Sequence, residues 1–94
     1  MTKASQSPGR QLYDHIMGDI RFRLIHAVTE LGIADFISAG RHDVDELAEV
    51  AGVDADVLYR VLRALASFDV FVETDDRTFD LTDQARLLRD DPEG

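Results

Sequence analysis

The sequence predicts a mainly α-helical fold: a winged helix-turn-helix with a small two-stranded β-wing and a long helix in front of it. Three stretches indicate this fold. A helical repeat of apolar residues covers about residues 11–31, two short helical patterns meet at Gly52-Val53-Asp54, and an alternating hairpin pattern follows them. Two short helices joined by a tight turn, the second strongly apolar on one side, are typical of a helix-turn-helix. The hairpin takes the place of the wing.

The first helix carries the most informative apolar pattern. Its main stripe steps by four positions and finally by three, through Leu12, Ile16, Ile20, Leu24, Val28 and Leu31. Tyr13 and Met17 widen this stripe on one side, whereas Phe22 and Ile25 lie well outside it. A surface helix of a monomer usually has one apolar side. The pattern therefore favours a helix that packs partly at home and partly against a second copy, the alternative being a helix central to its own fold.

Midway along this helix, Gly18 interrupts a sequence that otherwise favours helix. Glycine weakens a helix interior because it has the most conformational freedom to lose on folding. We therefore expect either a break at Gly18 or the close approach of another backbone.

Capping residues define the short elements that follow. Gly32 is placed to end the first helix, and a short apolar turn over residues 33–37 comes next. Asp43 and Asp54 are placed as N-caps of the two helices of the helix-turn-helix. The positions of these two helices that we expect to face inward are Leu47, Ala48, Ala51, Val57, Leu58, Val61, Leu62, Leu65 and Phe68.

The hairpin and the chain ends complete the domain organisation. The first strand begins over residues 70–72, the turn lies at residues 75–76, and the second strand covers residues 78–81. Thr82 is placed to cap a last helical turn. We expect residues 1–10 to be a flexible lead-in, residues 11–89 to form the winged-helix domain, and residues 90–94 to be a linker.

Composition limits the classes of partner. The 94 residues and the apolar share of 45% suffice for one small domain. There is no cysteine, which excludes disulfides and thiolate sites and fits a cytoplasmic location. No apolar run approaches the roughly 20 residues that span a membrane, so no membrane partner is expected. The formal net charge is −9, from 19 acidic and 10 basic residues, which disfavours nucleic acid as a partner.

The charges of the helix-turn-helix also argue against DNA reading. The end of the second helix that would enter a groove carries Asp54 and Asp56, and the wing tip is acidic except for Arg77. Carboxylates close to phosphates oppose binding. The outward Arg60 and Arg63 are expected to pair with nearby carboxylates, with Asp56 as the partner of Arg60.

The sequence contains no self-sufficient chemical site. His15, His26 and His42 are scattered, and the first two lie about 16 Å apart along one helix, too far to share a metal. No Gly-x-Gly loop stands between a strand and a helix to hold a nucleotide. We therefore expect no catalytic, cofactor-binding or metal-binding residue in this segment, and no catalysis by it alone.

Several segments resemble, in order and without large gaps, the start of small-molecule O-methyltransferases. The run Leu31-Gly32-Ile33-Ala34-Asp35-Phe36-Ile37 is similar to their LG(I/L)AD segment followed by two apolar residues. DELA at 45–48 and GVDADVLYRVLRAL at 52–65 match the next part of the pattern. VFVE at 70–73, FDLT at 79–82 and LLR at 87–89 complete it.

This resemblance implies an N-terminal winged-helix dimerisation domain of a natural-product O-methyltransferase that uses S-adenosylmethionine on an aromatic or polyketide-type acceptor. The Rossmann-like catalytic domain of such enzymes has no counterpart in the sequence. The resemblance also implies that the first helix lines the pocket for the small-molecule acceptor, with Tyr13, Met17 and Phe22 in the matching positions. The expected homodimer interface consists of Leu12, Ile16, Ile20, Phe22, Leu24, Ile25 and Val28.

Two other functions stay open at the level of sequence. A winged-helix transcription regulator would use Arg60 and Arg63 on DNA. A free-standing scaffold or accessory domain would lack a catalytic half altogether. A glycine-rich strand-to-helix loop further along the reading frame would distinguish an enzyme domain from both.

Overall fold

The computed structural model describes residues 7–89, which form five helices and two strands. In chain order these elements are α1 (Pro8–Glu30), α2 (Ile33–Ser38), α3 (Val44–Ala51), α4 (Ala55–Ala66), β1 (Phe71–Asp75), β2 (Thr78–Leu81) and α5 (Asp83–Arg86). The predicted fold class is confirmed, because α3 and α4 form the helix-turn-helix and the antiparallel pair β1–β2 forms the wing. The predicted linker at residues 90–94 and most of the predicted lead-in lie outside the described residues.

The first helix, α1, is continuous over 23 residues and about 34 Å long. It begins at Pro8 rather than near Gln11. The Ser7 hydroxyl caps it by accepting a hydrogen bond from the Arg10 N–H at 3.2 Å, and proline suits the first turn because its missing N–H has no partner there. The helix runs through Gly18, so the expectation of a break at that residue is wrong.

The predicted caps are confirmed. The side chains of Asp43, Asp54 and Thr82 each accept a hydrogen bond from the main-chain N–H three residues further on, at 3.0–3.2 Å. Each of these bonds satisfies one of the N–H groups that the first turn of a helix leaves without a partner. Gly32 and Gly52 have φ values of 72° and 76°, in the left-handed region that glycine adopts most readily. These glycines turn the chain after α1 and α3.

The hydrophobic core lies among α2, α3, α4, α5 and the hairpin, and α1 packs against it only through its C-terminal part. Every element contributes to it, and its fully buried members are Val28, Ile33, Ile37, Val44, Leu47, Ala48, Leu58, Leu62, Leu65, Val70, Phe71, Phe79 and Ala85. The expectation that Val57 faces inward is wrong, because its side chain is 51% exposed. It lies about 100° around α4 from the buried Leu58, beyond the strip that the core covers.

The wing is fastened to the two helices by a polar cluster, which we call the wing clamp: Asp45, Asp56, Tyr59, Glu73 and Arg77. The Arg77 guanidinium lies 2.8 Å from an Asp45 oxygen, 3.7 Å from an Asp56 oxygen and 4.8 Å from the centroid of the Tyr59 ring. The Tyr59 hydroxyl and the Arg77 N–H both donate to one Glu73 oxygen, at 2.8 Å and 3.0 Å. The clamp therefore joins α3, α4 and both sides of the hairpin turn.

The clamp shifts the protonation equilibria of two of its members. The hydrogen bond to Glu73 raises the pKa of Tyr59, because a phenolate would face that carboxylate and lose the bond. The hydrogen bond to Asp45 likewise raises the pKa of Arg77. Arg77 also has a φ of 55°, which is uncommon for a residue with a side chain. The hairpin turn thus adopts a less favourable backbone conformation in which Arg77 reaches Asp45 and Asp56.

Replacement of Leu62 by alanine tests the core. Leu62 is fully buried on α4, so its truncation leaves a cavity and should lower the free energy of unfolding by about 2–5 kcal/mol. Urea unfolding followed by circular dichroism measures the change. The matched control is Leu87→Ala, since Leu87 is 82% exposed and its truncation should cost less than about 0.5 kcal/mol. Equal changes in the free energy of unfolding for the two substitutions would contradict the burial of Leu62 in the core.

Titration of Tyr59 tests the clamp. A raised folded-state pKa means that its contribution to stability is complete below the unfolded value of about 10 and is lost as pH rises through the folded value. The difference between the phenolate absorbance curves of the parent chain and Tyr59→Phe isolates this group, since Tyr13 is the only other tyrosine. We expect its midpoint above 10, lowered again by Glu73→Gln. A midpoint at or below 10 would show that the hydrogen bond is absent.

Candidate dimer interface

The N-terminal half of α1 presents apolar side chains to solvent. Leu12 is 61% exposed, Ile16 51% and Ile20 39%. We call these three residues the α1 ridge. Single exposed apolar residues are normal on protein surfaces, whereas a contiguous group of them marks an interaction site. The α1 ridge is therefore the strongest candidate interface of the described residues.

Two features keep the ridge out of the core: the apolar residues of α1 that pack against the core begin only at Leu24, and the row also winds around the helix. Four residues turn an α-helix by about 400°, so each step of four moves a side chain about 40° further around the axis. Val28 faces the core and is 1% exposed, and exposure rises at each earlier step through Leu24, Ile20 and Ile16 to Leu12. Over the four steps the row turns by about 160°. The row reads as one stripe in the sequence. In the structure it faces the core at Val28 and faces away from the core at Leu12.

The structure divides the seven residues predicted for the dimer interface. Phe22 and the three residues of the ridge are exposed, and these four can meet another molecule. Leu24 and Ile25 are half-buried against the chain's own core. Val28 is part of that core and offers no surface to a second copy, so it drops out of the candidate interface.

The three residues predicted to line an acceptor pocket do not share one side of α1. Tyr13 and Met17 lie one turn apart on the same side, but Phe22 lies about 140° around the axis from Met17. The Phe22 ring instead stacks on His26, with centroids 6.2 Å apart and an interplanar angle of 18°. No cavity is found among residues 7–89. A pocket lined by all three side chains would therefore need further walls that residues 7–89 of one copy do not provide.

The basic side chains near the helix-turn-helix are mostly engaged. Arg77 binds two carboxylates within the wing clamp, and the Arg63 guanidinium lies 3.8 Å from Glu73. The predicted pair of Asp56 with Arg60 is wrong, because Asp56 faces Arg77 across the clamp instead. The sequence reading missed the role of Arg77. Its signal was a single arginine in an otherwise acidic hairpin turn, and its partners on α3 and α4 are distant in sequence.

The histidines and the acidic groups form no chemical centre within the described range. His42 makes a 3.0 Å hydrogen bond between its Nδ1 and the Phe79 carbonyl oxygen, and His15 and His26 are exposed on α1. No group of residues able to hold a metal ion occurs between residues 7 and 89. Over the same range, no helix combines the length and the apolar character required to cross a bilayer.

Comparison with known proteins agrees with this geometry. The family described as "O-methyltransferase dimerisation domain" matches residues 13–91. The chain is 30% identical to the phenazine-1-carboxylate N-methyltransferase of Pseudomonas aeruginosa over 90 residues, which cover 96% of this chain and 27% of that protein. It is 42% identical to the phenazine O-methyltransferase PhzM of Lysobacter antibioticus over 65 residues, which cover 69% of this chain and 19% of that protein.

A solved structure shares the fold. It is the O-methyltransferase NcsB1 from neocarzinostatin biosynthesis, in complex with S-adenosylmethionine and 2-hydroxy-5-methyl naphthoic acid. The TM-score is 0.71 at 35% identity, over 73% of this chain and 21% of that one. The chain therefore spans between 19% and 27% of the length of these three proteins. On the match over residues 13–91, the chain belongs to the family of O-methyltransferase dimerisation domains.

Proposed function

We propose that this chain is the dimerisation and pocket-lining part of an S-adenosylmethionine-dependent O-methyltransferase that acts on an aromatic natural product. We further propose that two copies associate through the α1 ridge. Membership of a dimerisation-domain family supports the first statement. The second rests on one observation: three apolar side chains stand in a row on the part of α1 that its own core does not cover.

Burial of the ridge would serve both association and stability. A chain of this size can bury only about 60% of its unfolded surface. Apolar area left outside the core is therefore a large loss of stabilising free energy. Each square ångström of apolar surface removed from water contributes about 25 cal/mol. Ile16 is half exposed and occupies the middle of the ridge, so it should be the most completely covered of the three residues on association.

The methyl donor would bind outside these residues. Residues 7–89 form no cavity for S-adenosylmethionine, and the sequence has no Gly-x-Gly loop to hold its nucleoside part. What this chain would supply is one wall of the acceptor site from Tyr13 and Met17, which share one side of α1. Phe22 lies about 140° around the helix from Met17 and would line the site only where the pocket wraps around α1. Aromatic rings stack on aromatic ligands at centroid distances of about 4.5–7 Å, which suits an acceptor with a flat ring.

The acceptor class is supported by the relatives. NcsB1 binds a naphthoic acid, and the relatives from Lysobacter antibioticus and Pseudomonas aeruginosa act on phenazines according to their names. The Pseudomonas aeruginosa protein is an N-methyltransferase, so this domain occurs with two kinds of acceptor atom. We propose oxygen for this protein, since two of these three proteins are O-methyltransferases.

We do not expect this chain to bind nucleic acid. The net charge of −9 repels phosphate, and Arg63 and Arg77 are already paired with carboxylates. Arg60 is left as the basic residue of α4 without such a pair among the described residues. One such contact contributes little against the repulsion of the acidic wing.

Replacement of Ile16 by aspartate tests the interface. A charge at the centre of a buried apolar seam has no partner, so the dimer dissociation constant should rise about a hundredfold or more, equivalent to about 2.7 kcal/mol. Sedimentation equilibrium of the 94-residue chain measures it. The matched control is Val57→Asp, because Val57 has the same 51% exposure but lies on α4. Equal association of parent and Ile16→Asp would refute the α1 ridge as the interface.

A binding titration tests the exclusion of DNA. Labelled duplex DNA at low salt should show no salt-dependent rise in fluorescence anisotropy up to micromolar chain, because phosphate contacts require unpaired basic groups. A signal that fell with added salt and was lost in the Arg60→Glu, Arg63→Glu double variant would instead show DNA binding through α4 and support a transcription regulator.

A further inference from the structure

Arg21 differs from most arginines of this chain because it has no carboxylate partner. Seven of the nine arginines between residues 7 and 89 form ion pairs, and Arg60 is the other exception. Arg60 is exposed to water, whereas Arg21 is half-buried. A charge that is partly removed from water is costly unless an opposite charge faces it. Arg21 is therefore the best candidate among the described residues for a site that binds an anion.

The guanidinium of Arg21 is held by two contacts that leave its outer edge free. Its carbon lies 4.7 Å from the centroid of the Phe68 ring, and its Nε donates to the Met17 carbonyl oxygen at 3.4 Å. Its two terminal nitrogens make no hydrogen bond to any group of residues 7–89. Their N–H groups form the rigid, planar fork that matches the two oxygens of a carboxylate. The two contacts thus orient the guanidinium without satisfying its donors.

Arg21 also lies on the side of α1 that carries Tyr13 and Met17. The three residues are spaced by four positions, so each follows the previous one by about 40° around the helix and 6 Å along it. Phe68 belongs to the turn between α4 and β1, so this side of α1 meets the body of the domain at Arg21. A flat ring that lies against Met17 would therefore have the free edge of the guanidinium at its end.

We propose that Arg21 binds a carboxylate group of the acceptor and thereby makes the enzyme selective for aromatic carboxylic acids over their neutral analogues. This inference rests on the proposed function. Hydrogen bonds between a guanidinium and a carboxylate are short, directional and often bidentate, so they orient a ligand as well as hold it. Arg21 would position the acceptor and take no part in the transfer of the methyl group.

Two other sources of an anion suit Arg21 less well. A nucleic-acid phosphate would have to approach against the net charge of −9. A second copy seated on the α1 ridge would bring the carboxylates of Asp14 and Asp19, which are the ones next to the ridge in sequence. These already face Arg10 and Arg23, at 3.3 Å and 3.0 Å. A small aromatic acid needs neither a change of partner nor a favourable net charge.

A paired binding experiment on the full-length enzyme tests the assignment. Hydroxylated benzoic and naphthoic acids are titrated by calorimetry, each beside its methyl ester, which keeps the ring but removes the charge. The parent enzyme should bind its best acid at least about tenfold more tightly than the matching ester. Arg21→Gln should abolish this preference by weakening the acid alone. Arg21→Lys keeps the charge without the fork and should restore part of the preference.

The matched control is Arg23→Gln. Arg23 lies on the same helix but is exposed and paired with Asp19, so its replacement should leave the preference unchanged. A parent enzyme that binds no acid more tightly than its ester would overturn the inference. Equal weakening of acid and ester in Arg21→Gln would do the same, because it would show that Arg21 only supports α1 against Phe68.

Two further outcomes separate this inference from the statements on which it rests. A dimer weakened by Arg21→Gln, with the acid preference intact, would assign Arg21 to a second copy and overturn its role toward the acceptor. If the enzyme methylates neutral aromatic hydroxyls and disregards a carboxylate, only the inference on Arg21 fails. If it transfers no methyl group from S-adenosylmethionine to any aromatic acceptor, the proposed function itself fails.

Discussion

The winding of one apolar row around α1 is the constraint on which the rest of this domain depends. Because its residues recur every four positions on a helix of 3.6 residues per turn, the row cannot stay on one side. Its last fully buried member, Val28, closes the core over α2 and α4, whereas Leu12 lies on the far side of the helix. One helix thus completes the fold at one end and offers an association surface at the other.

The helix-turn-helix keeps the shape of a nucleic-acid reader but uses its charges internally. Arg77, at the tip of the wing, is turned toward Asp45 and Asp56 and lies over Tyr59. A basic wing tip could reach a phosphate only by giving up these contacts. The clamp instead makes α3, α4 and the hairpin one rigid block that supports α1. The same architecture therefore serves protein association once its charged groups are paired within the chain.

Association and fold stability are linked in a domain this small. A helix that leaves the ridge in water and carries Gly18 in its interior is not optimised for a monomer. Both features are costs to the isolated chain, and the association that we propose would remove the ridge from water.

Local signals in the sequence determined the element types, the caps at Asp43, Asp54 and Thr82, and the wing, because these features depend on contacts between residues near in sequence. The similarity of several segments to one family also determined the functional class. The tertiary structure decided which side of α1 is free, that Val28 belongs to the core, and that Arg77 rather than Arg60 pairs with Asp56. These outcomes depend on where distant elements pack, and a periodic pattern along one helix does not specify which of its sides the neighbours cover.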